Sequence, residues 1–135
     1  MLTAPLMAGN DLGKMSEQTM AILTKNEAVT IDQDAIGIED FRYYGFDGIE
    51  IWVKPLVNNE LAVCFLNRSN HLQNVNFDWK ERSITDTLSK TGIDFNKNSY
   101  KLRDLWAKKD LGTTSKTYKQ TIGAYDVILL KLLEK

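Results

Sequence analysis

Carboxylates are the side chains of this chain best suited to chemistry. Asp32, Asp34, Glu39 and Asp40 crowd residues 32–40, and paired carboxylates can divide general-acid and general-base work between them. The same residue types form turns, with aspartate side chains bonding nearby backbone, and the cluster is read here as turn formers and solvated charges. Asp104, beside Trp106, is read as a turn acid or as the partner of Arg103 or a neighbouring lysine, and Asp11 as a helix-start acid. Cys64 is the only cysteine, so no internal disulfide and no cysteine-rich zinc site can form. Its neighbours in Leu61-Ala62-Val63-Cys64-Phe65-Leu66 make it a small buried hydrophobe rather than a reactive thiol. His71, in the polar turn Ser69-Asn70-His71, reads as a solvated loop residue. Asn67-Arg68-Ser69 fits a glycosylation sequon, a triplet frequent by chance. There is no nucleophile–base pair, no phosphate-cradling glycine loop and no metal-ligand spacing. No catalytic, substrate-binding or metal-binding residue is therefore assigned, no cofactor is expected, and an independent enzyme is poorly supported.

The elements that must position these residues come from an ordinary globular composition: 135 residues, 43% hydrophobic and 26% charged. Net charge is −1 with scattered positives, so nucleic acid is not expected as a partner. No apolar run approaches the roughly 20 residues of a membrane helix, so no membrane partner is expected either. Met1-Leu2-Thr3-Ala4-Pro5 lacks the basic and apolar regions of a signal peptide; localisation is left open.

Two regions differ in period. Residues 14–25 carry Met15, Met20, Ile22 and Leu23 among polar residues, with Ser16 as N-cap, and predict a short amphipathic helix; Glu27 to Gln33 could add a turn. After Gly37 the pattern is that of strands. Phe41–Tyr44 and Ile49–Lys54 flank the turn Gly45-Phe46-Asp47-Gly48, and Pro55 ends the second run. Asn58-Asn59 supplies a tight turn before Leu61–Leu66, which is apolar on both faces as in a central strand. Asn74–Trp79 alternates, with Val75, Phe77 and Trp79 inward. Residues 80–99 read as a long polar connection with at most a helical turn. Tyr100–Leu105, Ser115–Ile122 and Tyr125–Leu133 follow, separated by Gly112 and Gly123-Ala124. The expected fold is mainly β: an antiparallel, Greek-key-like sandwich of about 7–8 strands, preceded by a short helical segment that needs a surface to pack on.

Several ordered segments carry a resemblance. Ala4-Pro5-Leu6-Met7-Ala8-Gly9-Asn10-Asp11-Leu12, then Ile31-Asp32-Gln33-Asp34, resembles the last strand-to-helix passage of the barrel in α-galactosidases of glycoside hydrolase family 27. Glu50-Ile51-Trp52-Val53-Lys54-Pro55-Leu56, the Asn67-Arg68-Ser69 strand ending, Arg103-Asp104-Leu105-Trp106, Lys109-Asp110-Leu111-Gly112 and Val127-Ile128-Leu129-Leu130-Lys131-Leu132 resemble the C-terminal β-sandwich of the same family. Departures are Ala35 after Asp34 where proline is usual, Gly13 where arginine commonly follows Asn-Asp-Leu, and Gly123-Ala124-Tyr125-Asp126 for a proline-histidine-glycine turn.

The resemblance implies that residues 1–38 are the remnant of the last barrel strand–helix unit and linker, and residues 39–135 the sandwich domain. Retaining glycosidases need two carboxylates about 5–5.5 Å apart, and the family carries them in barrel motifs that do not occur in this sequence. The implied role is thus a non-catalytic C-terminal portion of an α-galactosidase-like hydrolase, inert alone, with the parent's catalytic β/α barrel as partner. Relatives so implied are often secreted or periplasmic. Apolar Leu2, Pro5, Leu6 and Met7 find no strand partner in the pattern, and self-association through this segment is an expected consequence. The alternative is a stand-alone carbohydrate-binding sandwich with Tyr43, Tyr44, Trp52, Trp79 and Trp106 as candidate platform residues; Trp79 lies on a core-like face, and Trp52 is the better candidate for exposure.

Overall fold

A computed structural model describes Ala4, Gly9 and residues 11–135; the expectations for Leu2, Pro5, Leu6 and Met7 lie outside the described residues. Asp11 caps a 3-10 turn at Leu12–Lys14, its carboxylate accepting the Gly13 N–H at 2.9 Å. Helix α1 (Glu17–Leu23) starts at Ser16, whose Oγ accepts the Thr19 N–H at 3.1 Å, the N-cap expected from sequence. The helix is shorter than the expected 14–25. The Thr24 hydroxyl donates to the Met20 carbonyl at 2.7 Å, and Lys25 leaves helical geometry with ψ 86°. The chain then re-enters helix as α2 (Asn26–Asp32), a full element where one added turn was expected.

Ten strands follow: β1 (Phe41–Phe46), β2 (Ile49–Pro55), β3 (Leu61–Asn67), β4 (Gln73–Phe77), β5 (Ser83–Asp86), β6 (Thr91–Asp94), β7 (Tyr100–Asp104), β8 (Lys109–Thr113), β9 (Tyr118–Ile122) and β10 (Val127–Glu134). They form one antiparallel six-stranded sheet in the order β1-β2-β3-β10-β7-β8, a two-stranded pair of distant strands, β4-β9, and the hairpin pair β5-β6. The chain leaves the large sheet after β3 and returns to it at β7 and again at β10, the interlaced crossing of antiparallel sandwiches.

Three strands, β5, β6 and β8, escape sequence reading. Residues 80–99 are not a simple connection but hold the β5–β6 pair, in which Ile84 faces Ile93 across the ladder. One apolar residue per short strand is too little to reveal a period of two. Gly112 does not separate strands; it lies inside β8 with φ +96°, a conformation glycine adopts without penalty. Conversely, β9 begins only at Tyr118, and Tyr125 sits in a turn with φ +53° ahead of β10. The β1–β2 strands run further than expected, so that the turn is Asp47-Gly48 alone, both at positive φ, as a two-residue hairpin loop requires. Asn58 and Asn59 both adopt positive φ, as expected.

Alternation aims one side of the large sheet at the opposite layer. Ile49, Ile51 and Val53 of β2, Leu61, Val63 and Phe65 of β3, and Leu130 and Leu132 of β10 join Val75, Phe77, Ile84, Ile93, Tyr118 and Ile122 in one buried cluster. Its centre is aromatic. Phe77 meets Trp79 edge-on at 4.9 Å, Trp79 meets Phe95 at 5.3 Å and Phe65 meets Phe77 at 5.6 Å, each contact adding about 0.5–1.5 kcal/mol beyond area burial.

One buried polar residue pins the two layers. Asn67, fully buried at the end of β3, donates from Nδ2 to the carbonyls of His71 at 2.8 Å and Gly123 at 2.7 Å. Its Oδ1 accepts the Ser69 N–H at 2.9 Å and hydroxyl at 2.7 Å. The sequon is therefore a structural knot joining the β3–β4 and β9–β10 loops, with its amide out of reach of a glycan in the folded chain. Asn67→Ala removes a donor from two carbonyls and is expected to cost about 2–4 kcal/mol, read as a lower urea midpoint; an unchanged midpoint contradicts this role.

Candidate functional site

The opposite face of the six-stranded sheet mixes apolar residues with charged ones, where an antiparallel sheet can leave a whole face to water. Cross-strand pairing aligns Trp52, Cys64 and Leu129 in one row and Lys54, Ala62, Lys131 and Arg103 in the next. Helix α2 covers part of it. Ile31 is buried against Leu56, Ala62, Leu105 and Leu129, with Ala28 and Cys64 at the margin.

Ion pairs hold this contact in place. Arg103 donates from Nε and Nη2 to the two carboxylate oxygens of Glu27 on α2, at 2.8 and 3.0 Å, and from Nη1 to Asp110 at 3.0 Å. The planar fork suits a carboxylate. Lys25 adds a hydrogen bond from Nζ to the Trp106 carbonyl and lies 5.6 Å over its ring. Lys131 pairs with Glu60 at 2.7 Å. Lys54 and Asp32 are both buried on this side of the chain, and each holds an interaction partner.

The carboxylates singled out from sequence are occupied separately. Asp34 accepts the N–H groups of Ile36 at 3.0 Å and Val57 at 3.1 Å, tying the linker to the β2–β3 turn. Asp104 accepts the N–H groups of Trp106 and Ala107, both at 2.9 Å, which settles it as a turn acid and not the partner of Arg103. Glu39 is exposed and Asp40 partly buried. His71 is exposed, with its ring nitrogens beside Asn70 and Gln73. Cys64 is half-buried, and burial, with the Asp40 carboxylate adding, pushes its thiol up to about 11, so it stays protonated and inert at neutral pH.

The five candidate platform aromatics do not share a face. Trp79 is in the core. Tyr43 donates its hydroxyl to the Ser83 carbonyl at 3.0 Å, and Tyr44 carries the Arg82 guanidinium 3.9 Å from its ring centre. Trp52 is half-buried on the outer face with Nε1 donating to Glu50 at 3.1 Å, less open than its alternation suggested. Trp106 is the exposed one, at 38%.

Glu27 titrates below the ordinary value of 4.5, chiefly because the Arg103 guanidinium donates to its carboxylate. A carboxylate with a depressed folded value stabilises the fold above its unfolded pKa and loses that contribution as pH falls through the folded one. Amide-exchange protection of α2 is accordingly expected to drop as pH falls below about 4. Arg103→Ala is expected to lower protection already at pH 7 and abolish the acid step; an unaltered exchange profile contradicts the clamp.

Comparison with known proteins agrees with this architecture. The family described as the alpha galactosidase C-terminal beta sandwich domain matches residues 46–132. Alpha-galactosidase A of Cellvibrio japonicus is 37% identical over 97% of this chain, which spans 32% of that protein. An alpha-galactosidase of Oryza sativa subsp. japonica is 32% identical over 77% of the chain and 22% of its own length. Among solved structures, alpha-galactosidase I from Mortierella vinacea superposes with TM-score 0.78 at 23% identity, over 98% of this chain and 32% of that one. A GH27 β-L-arabinopyranosidase from Geobacillus stearothermophilus superposes with TM-score 0.72 at 27% identity, over 96% and 27% respectively. The chain spans about a third or less of the curated relatives it matches, and it belongs to the C-terminal β-sandwich family of the alpha-galactosidases.

Proposed function

We propose that this chain is the non-catalytic C-terminal portion of an α-galactosidase-like glycoside hydrolase. Its sandwich supports a catalytic β/α barrel supplied by the rest of the enzyme, whose reaction is hydrolysis of terminal α-galactosides. In this reading residues 1–38 are the end of the barrel and its linker, and residues 39–135 the sandwich, so that α2 is where the barrel wall meets the outer sheet face.

The observation that carries the reading is helix α1. None of its residues is buried, and Met20, Ile22 and Leu23 are 51%, 59% and 43% exposed. A seven-residue helix does not hold in water on propensity alone and takes its stability from tertiary packing. These exposed apolar residues call for a surface the described residues do not provide. The engagement of Asp11, Glu27, Asp34 and Asp104 in caps, turns and ion pairs fits a supporting role as well. The dispersed aromatics give the carbohydrate-module alternative no assembled platform.

The test is a chimera in which this chain replaces the matched segment of the Cellvibrio japonicus relative. The isolated chain is expected to show no turnover of an aryl α-galactoside above blank and to self-associate by light scattering through α1. The chimera is expected to be soluble, monodisperse at the surface of α1, and active. Turnover by the isolated chain, or an insoluble or inactive chimera, would overturn the proposal.

A further inference from the structure

Of the three tryptophans, Trp79 is in the core and Trp52 is half-buried, while Trp106 stays open. It stands in the turn between β7 and β8, and that turn is held on several sides. Asp104 accepts the N–H groups of Trp106 and Ala107, both at 2.9 Å, and the Leu105 N–H donates to the Leu129 carbonyl at 3.0 Å. From the helical side the Lys25 ammonium donates to the Trp106 carbonyl at 2.5 Å and lies 5.6 Å from the ring centre. The indole Nε1–H, by contrast, meets no acceptor among the described residues.

Lys25 also sets the indole beside the first helix. It is the residue between α1 and α2, and its own N–H donates to the Ile22 carbonyl at 3.2 Å. Trp106 therefore stands next to the C-terminal end of α1, where Met20, Ile22 and Leu23 are exposed. Single exposed apolar residues are ordinary on a protein surface. Here four lie within a few residues of one contact, and the aromatic among them is fixed in place. A side chain already ordered loses little freedom when a partner covers it, and tryptophan is prominent among the residues that carry most of an interface's energy.

We propose that Trp106 is the principal contact by which the sandwich engages the catalytic body of the enzyme: its indole enters an apolar pocket of the β/α barrel, where a carbonyl or carboxylate oxygen accepts the Nε1–H. The inference rests on the supporting role proposed above and adds to it a named sandwich residue and the chemistry that receives it. The occupant is the barrel rather than a second copy, because the relatives extend far beyond the match: the chain spans 32% of the Cellvibrio japonicus protein and 32% of the Mortierella vinacea chain. In that reading α1, which borders the indole, is itself the end of the barrel.

The test compares the isolated chain with its chimera on the Cellvibrio japonicus barrel. With 5-fluorotryptophan incorporated, the fluorine signal of Trp106 is the one missing from a Trp106→Phe variant. Its solvent isotope shift between light and heavy water is expected to be present in the isolated chain and to fall by about half or more in the chimera, as burial of the ring requires. Trp106→Ala is expected to leave the isolated chain folded, since the Lys25 and Asp104 bonds go to backbone atoms. In the chimera it is expected to shorten the half-life of activity at elevated temperature roughly tenfold or more, with Trp106→Phe in between. An unsubstituted chimera that fails to fold or to hydrolyse the aryl α-galactoside overturns the supporting role and this contact together. A sound chimera with the isotope shift intact, a Trp106→Ala chimera as long-lived as the unsubstituted one, or an isolated Trp106→Ala chain that does not fold overturns the contact alone. A Trp106→Phe chimera that matches the unsubstituted one overturns the Nε1 bond.

Discussion

A central strand that is apolar on both faces needs cover on both. In β3, Leu61, Val63 and Phe65 enter the sandwich core while Ala62 and Cys64 turn to the outside with Leu129 beside them. At about 25 cal/mol per Å², exposing that second face to water would forfeit several large side chains' worth of burial. Helix α2 supplies the cover for part of it, through Ile31 and Ala28. The rest of the N-terminal arrangement follows from keeping it there: the forked Arg103–Glu27 pair, the Lys25 contact with Trp106, and the Asp34 bridge to Val57.

The inner face is conventional by comparison. Edge-on aromatic packing around Trp79 and the buried amide of Asn67 fix how the layers sit on each other. Neither feature points at a ligand. On the outside, α1 presents Met20, Ile22 and Leu23 to solvent. In the proposed reading a catalytic barrel covers α1, and the chain spans 32% of the Cellvibrio japonicus relative.

Much of this was legible in the residues. The double-sided apolar run of β3, the alternation of Val75, Phe77 and Trp79, and the Ser16 cap are strong local signals that the structure repeats. The β5–β6 pair was not legible, because Ile84 and Ile93 are its only fully committed core residues and the core, not local pattern, makes those strands. β8 was hidden by a glycine inside the strand. On the site, turn chemistry for Asp34 and Asp104 could be read from type and neighbours, and inertness of Cys64 from its apolar run. The Arg103–Glu27 clamp could not, since its members stand 76 residues apart and only the placement of α2 on the sheet brings them together.

The central claim is that α1 and the outer face of the large sheet, not the β4–β9 side, lie against a catalytic body. Hydroxyl-radical footprinting of the isolated chain and of the chimeric enzyme compares the two directly. The account predicts that Met20, Ile22, Leu23 and Trp52 are oxidised in the chain alone and shielded in the chimera, while exposed Lys119 and Thr121 on β9 react equally in both. Shielding of β9 with α1 still open, or no difference between the two proteins, would contradict it.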